Sequence, residues 1–248
     1  MNIVDRQRAL YRLGYDPGVI DGVDGPATRI ALQAFAAARC IDPSNTFQID
    51  GELAHGVDGL AIWMPSPNFN VGPLTHRTIR LIVIHTAETP ELHDEAKNVG
   101  GWFEQRQSHV SAHYIVDDDK PVQCVLERDI AWHAGTSCNG FDANQVSIGI
   151  EHAGVAAQNA SQWGDDYSRA ELERSAQLVA GLCKRFHLPV ARPSTDALRA
   201  GAAGIVGHVD VNAAWSNGRG HVDPGDSFPW EAYLARVRDL VAALGEAA

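Results

Sequence analysis

Apolar positions recur along this chain in two different rhythms. Through the first forty residues the rhythm is helical. Leu10 and Leu13 fall on one side of a predicted helix over 5–13, and Gly14 should stop it, because glycine takes the left-handed conformation after a helix end without steric cost. Tyr15-Asp16-Pro17-Gly18 and Asp21-Gly22-Val23-Asp24-Gly25 then predict a glycine-rich double turn. Pro26 suits the first turn of a second helix, with Ile30, Ala31, Ala34, Phe35 and Ala38 expected on one face. Residues 41–78 carry Pro43, Pro65, Pro67 and Pro73 with little periodicity, as in a linker that partly packs on its neighbours.

From Ile79 strands alternate with helices. Arg80-Leu81-Ile82-Val83-Ile84-His85 is a nearly continuous apolar run, as expected of a strand covered on both faces. A helix should follow, burying Ala96, Val99 and Phe103. Ala112–Val116 and Val122–Leu126 flank the turn-like Asp117-Asp118-Asp119-Lys120 and predict a hairpin. Ser147-Ile148-Gly149-Ile150-Glu151 is another buried strand. Ser168 and Glu171 have the spacing of a capping box opening a helix that should end near His187-Leu188-Pro189, and Ile205-Val206-Gly207-His208 is a last short strand. The fold class is therefore α/β, a mixed central β-sheet flanked by helices, with a small all-α N-terminal domain over residues 1–65 and the larger domain over 66–248.

Composition narrows the chemistry. The chain has 248 residues, 45% hydrophobic and 21% charged, which suits a globular protein with a real core. A net charge of -11 argues against nucleic acid or an anionic membrane as partner. No run approaches a membrane span, and charge appears at once in Met1-Asn2-Ile3-Val4-Asp5-Arg6, so synthesis in the cytoplasm without a signal peptide is expected. Cys40, Cys124, Cys138 and Cys183 form no C-x-x-C pair, and free thiols are expected.

Two of the eleven histidines, His85 and His208, close predicted strands, where ligands gather in α/β sheets. Imidazole nitrogen and carboxylate oxygen are the donors a catalytic Zn²⁺ uses when it keeps one position open. In extended chain, side chains two apart share a face, so His208 with Asp210 or His221 with Asp223 could each reach one ion, and the residues alone leave both pairs open. His55, His76, His93, His109, His152 and His187 carry no signal.

Two resemblances go further. Leu13-Gly14-Tyr15-Asp16-Pro17-Gly18-Val19-Ile20-Asp21-Gly22, with Gly25-Pro26-Ala27-Thr28 and Ala31-Leu32-Gln33-Ala34-Phe35, resembles the small helical peptidoglycan-binding domain found beside many wall hydrolases; without that likeness it would be a plain two-helix module. Ile82-Val83-Ile84-His85-Thr86-Ala87, Val110-Ser111-Ala112-His113-Tyr114, Ala131-Trp132-His133-Ala134-Gly135, Ser147-Ile148-Gly149-Ile150-Glu151, Val206-Gly207-His208-Val209-Asp210 and Asp223-Pro224-Gly225, with Phe228 and Trp230, resemble in order the type 2 N-acetylmuramoyl-L-alanine amidases, which share the fold of the peptidoglycan recognition proteins.

That likeness implies one zinc held by His85, His208 and Asp223, with Asp210 left as a buried structural carboxylate or a partner of the ligands. It implies Glu151 as general acid/base and His221 at a position where several such amidases carry an oxyanion-stabilising Lys. An imidazole there would make the contribution depend on pH where Lys would not. Arg219 is a nearby substitute. His133 is implied as a cleft residue, Trp132 as a cleft residue or rather as packing under its loop, and His113 as either a cleft residue or a hydrogen-bonded core histidine. The expected protein is a monomeric zinc amidase of bacterial peptidoglycan, a phage-type endolysin that acts on the wall after release. The alternatives are a secreted antibacterial effector amidase, a recognition protein without chemistry, and a cysteine peptidase using Cys138 near His133.

Overall fold

The computed structural model describes residues 1–58, 61–73, 77–135, 142–216 and 220–246. The chain divides into two compact units, Met1–Ile62 and Trp63–Ala248. His76, Cys138 and Arg219 lie outside the described residues.

The first unit packs three helices, α1 (Ile3–Arg12), α2 (Pro26–Ala38) and α3 (Thr46–Asp58). Asn2 caps α1 by accepting the Asp5 N–H at 2.8 Å, and Gly14 follows its end at φ +89°. The double turn is held by Gln7, which is fully buried: its side-chain oxygen accepts the Gly22 N–H at 2.9 Å and its nitrogen donates to the Val19 carbonyl at 3.0 Å. Leu10, Ala31, Phe35, Ala36, Ile49 and Leu53 form the core.

Two expectations are corrected here. The buried face of α2 runs through Ala31, Phe35 and Ala36, leaving Ile30, Ala34 and Ala38 outside. The proline-bearing stretch is not all linker: Asn45 N-terminally precedes a 13-residue α3 whose Ile49 and Leu53 complete the core, a pattern too sparse in apolar residues to stand out by periodicity.

The second unit is built on a six-stranded sheet made of β1 (Ile62–Trp63), β3 (Leu81–Thr86), β4 (Tyr114–Val116), β5 (Val122–Gln123), β7 (Ser147–His152) and β8 (Gly204–Gly207). Their order is β1-β5-β4-β7-β3-β8. β3 runs parallel to β7 and β8, β4 parallel to β7, and the β4–β5 hairpin is antiparallel. A separate ribbon pairs β2 (Phe69–Asn70) with β6 (Ile130–Ala131). The helices are α4 (Glu95–Phe103), α5 (Asp166–Phe186), α6 (Thr195–Arg199), α7 (His208–Trp215) and α8 (Trp230–Glu246).

Alternation along the strands sorts the two faces of the sheet. Leu81 and Val83 pack with Leu198, Val206, Val211 and Trp215, so α6 and α7 cover one face, and His85 continues that side. On β7, Ser147, Gly149 and Glu151 point the same way. His152 points oppositely, where its Nε2 meets Ser175 Oγ of α5 at 2.7 Å, and that hydroxyl meets Tyr233 of α8 at 2.7 Å.

Two further boundaries differ from expectation. α5 opens three residues early because Asp165, not Ser168, is its N-cap, accepting the Ser168 N–H at 2.9 Å. His208 does not end β8; it begins α7, so Asp210 is turned a helical step away from it. Among the described residues no helix is long and apolar enough to cross a membrane.

Candidate active site

The C-terminal ends of three adjacent parallel strands supply the site. His85 lies one residue from the end of β3 with Glu151 of β7 in register beside it, and His208 follows β8 directly. The fourth contributor comes from the loop before α8. Asp223 is drawn in because its carbonyl accepts the Val209 N–H at 3.0 Å and because Pro224 lies against Gly207, where an added Cβ would meet Pro224 Cδ at 2.7 Å. Glycine at 207 therefore permits the approach of the loop.

His85, His208 and Asp223 are all buried and offer ligand atoms within 4.8 Å of one another. Asp223 Oδ2 is 2.9 Å from His85 Nδ1, and Asp223 Oδ1 is 3.4 Å from His208 Nδ1. Burial pushes His85 below its ordinary value against the pull of Asp223. Burial would also lift the Asp223 carboxyl, but the facing imidazoles of His208 and His85 prevail and hold it well below the usual carboxylate range.

The remaining expected residues divide. Glu151 lines the same cleft of about 660 Å³ as the cluster, and burial first, then the carboxylates of Asp223 and Glu88, pushes its carboxyl up to about 8. His221 also lines the cleft; its ring is 74% exposed, stacks on His208 at 4.6 Å and 11°, and keeps Nδ1 3.7 Å from Asp223 Oδ1. Trp132 faces the cleft with its indole N–H bonded to Asn70, so the β2–β6 ribbon fixes it.

His133 reaches the cleft too, but its Nδ1 lies 2.9 Å from His85 Nε2 and its Nε2 lies 3.1 Å from Ser147 Oγ. Burial holds it well below the ordinary imidazole value, with His85, His113, His208 and Arg77 adding repulsion. Asn144 Oδ1 fixes the turn by accepting the N–H groups of His133 at 3.1 Å and Ala134 at 2.8 Å.

His113 is corrected as a cleft residue. It is fully buried, its Nδ1 accepts the Gly149 N–H at 3.0 Å and its Nε2 meets the Asp129 carbonyl at 3.2 Å, so both nitrogens are spent on backbone. Asp210 is half-buried and has no part in the cluster: it accepts the Gly207 N–H at 2.8 Å and pairs with Arg192 through two bonds of 2.8 Å. Arg192 in turn stacks on Trp230 at 4.3 Å. Ser147, Asn144 and Arg192 carried no sequence signal, since each acts only through a neighbour that folding brings to it.

Comparison with known proteins gives a consistent picture. Residues 75–226 match the family profile described as N-acetylmuramoyl-L-alanine amidase, and residues 2–43 match that of a peptidoglycan binding domain. The chain is 28% identical over 194 residues to the 1,6-anhydro-N-acetylmuramyl-L-alanine amidase AmpD of Haemophilus influenzae, covering 70% of this chain and 90% of that protein. It is 28% identical over 134 residues to the N-acetylmuramoyl-L-alanine amidase AmiD of Escherichia coli, covering 49% and 42%. The crystal structure of the Staphylococcus aureus hydrolase AmiA in complex with its ligand matches with a TM-score of 0.54 at 14% identity, over 75% of this chain and 84% of that one, a likeness of fold.

Proposed function

The chain belongs to the N-acetylmuramoyl-L-alanine amidase family, whose profile spans more than half of it, and acts as such an amidase on peptidoglycan; from that premise we propose that it is a zinc enzyme whose ion is held by His85, His208 and Asp223. The observation that carries this is the buried meeting of two imidazoles and a carboxylate at the floor of a cleft that also holds Glu151. The donor set fits a dication with open coordination, since three N/O ligands are what catalytic zinc sites offer.

A bound Zn²⁺ supplies Lewis-acid polarisation of the scissile carbonyl and makes a water acidic enough to react near neutral pH. Glu151, beside His85 in register, takes the proton from the attacking water and delivers it to the departing L-alanine nitrogen as the carbon–nitrogen bond breaks. The lactyl carbonyl carbon, having gained the water oxygen, remains on the sugar as a carboxylate. His221, exposed over His208, donates to the oxygen on which negative charge gathers. Trp132, pinned to Asn70, gives the sugar or stem peptide a fixed wall.

The helical unit keeps the enzyme on polymeric wall, and the pairing of a wall-binding unit with an amidase supports a phage-type endolysin role, with an antibacterial effector as the alternative. A second reading is favoured by the likeness to an anhydromuramyl amidase: cleavage of soluble 1,6-anhydro fragments. Digesting sacculi and soluble anhydromuropeptides side by side tests both. Mass spectrometry of sacculus products should find stem peptides with a free L-alanine amine and intact lactyl groups, and chelation should abolish them. Activity that survives chelation and dialysis would overturn the zinc assignment, and products only from the soluble fragments would replace the wall substrate.

A further inference from the structure

The geometry points to His133 as a positioning residue that fixes the tautomer of His85, rather than a group that touches substrate. This rests on the proposed metal role of His85. A chain of close polar contacts runs inward from the cluster: Asp223 Oδ2 to His85 Nδ1 at 2.9 Å, His85 Nε2 to His133 Nδ1 at 2.9 Å, His133 Nε2 to Ser147 Oγ at 3.1 Å, and Ser147 Oγ to the Ala143 carbonyl at 2.6 Å.

Proton counting along this chain leaves one arrangement. The Ala143 oxygen can only accept, so the single hydroxyl proton of Ser147 goes to it. Toward His133 the Ser147 oxygen must then accept, which places a proton on His133 Nε2. A neutral His133 has Nδ1 bare, and the partner facing it, His85 Nε2, must donate. His85 is thereby left with Nδ1 unprotonated, its lone pair directed at the Asp223 carboxylate 2.9 Å away. Two lone pairs at that distance repel unless a cation lies between them, and this is the tautomer a metal ligand at Nδ1 requires.

Packing holds the ring where this works. A Cβ added to Gly149 would lie 2.4 Å from His133 Cγ, so the missing side chain on β7 is the space the imidazole occupies. Asn144 fixes the backbone on either side of the junction. The ring is held from three directions before any substrate arrives.

The test compares His133→Leu, His133→Asn, Ser147→Ala and His208→Ala, each checked for folding by circular dichroism, with zinc affinity measured by chelator competition and kcat and KM measured separately. His133→Leu keeps volume but removes the acceptor, and zinc binding should weaken by about 10–100-fold, the range for lost partners of metal-bound imidazoles. His133→Asn can present an amide oxygen near the Nδ1 position and should recover most of that affinity. Ser147→Ala releases the His133 tautomer and should weaken binding several-fold even if His133→Leu fails to fold. Histidine ¹⁵N shifts in the zinc-loaded protein should find His133 protonated at Nε2 alone.

Zinc affinity unchanged in both His133→Leu and Ser147→Ala, with KM raised in the former, would overturn the inference and make His133 a substrate contact. Full zinc content in His208→Ala would instead refute the metal site itself.

Discussion

At the scale of single residues, the clearest consequence concerns Glu151. Glu151→Gln keeps the shape but removes the proton acceptor, so zinc content should hold while turnover falls by roughly 10²–10⁴. Only the ionised carboxylate can take a proton, and in the folded protein this carboxyl is raised from 4.5 to about 8. In the wild type kcat/KM should therefore climb with pH across that window, a bound dication drawing the midpoint toward its lower part. A wild-type profile flat from 4.5 to 8 would remove Glu151 from the role of base. His221→Lys should leave zinc bound and retain substantial activity, because the side chain is exposed and only stacks on His208. If that variant empties the metal site while Asp223→Ala does not, His221 is the third ligand. Sequence pattern by itself could not separate His208 with Asp210 from His221 with Asp223, because both pairs have strand spacing. Folding splits both pairs: a helix begins at residue 208 and carries Asp210 toward Arg192, while Asp223 Oδ1 comes within 3.4 Å of His208 Nδ1. Family likeness, not periodicity, pointed to Asp223.

At the scale of elements, strands β3 and β7 were legible because unbroken apolar runs of strand length have few other readings, whereas starts of helices depended on caps that several polar residues could supply. Asp165 and Ser168 are both good caps; the chain uses the first, and Glu171, expected to reach back to the helix start, is instead fully buried in α5. Burial, then the nearby Glu91, raises its carboxyl well above 4.5. Because its folded pKa lies above the unfolded one, the native state retains a proton that the unfolded chain releases, and stability is lost as pH rises above 4.5. Glu171→Gln should accordingly raise the urea midpoint more at pH 8 than at pH 5; an equal effect at both would mean the carboxyl is ionised in the fold. Asp210 caps α7 through the Gly207 N–H, so Asp210→Ala should cost about 1–2 kcal/mol in denaturant unfolding. No loss would show that Arg192 and Trp230 hold that corner without it.

At the scale of the whole molecule, each unit has its own apolar core, so removal of residues 1–62 should leave a folded amidase that cuts soluble muropeptides as before while losing activity on intact sacculi. Equal sacculus activity with and without that unit would show that it does not tether the enzyme. The two-unit organisation was visible in the glycine-rich turns and the change of rhythm near Ile79; α3 was not, because its core contribution rests on Ile49 and Leu53 inside a stretch dominated by turn formers. The site itself joins positions very far apart in the chain: His85 and Asp223 are separated by 138 residues yet lie 2.9 Å apart. An ion gripping both ends of so long a loop behaves as a removable crosslink, and its absence lets the connecting chain recover freedom that the clasp had denied it. Occupancy and unfolding are then one coupled equilibrium, in which the melting midpoint rises with the logarithm of free zinc once that exceeds the dissociation constant. Under the proposed metal assignment, zinc-poor surroundings would lower the enzyme's stability together with its activity.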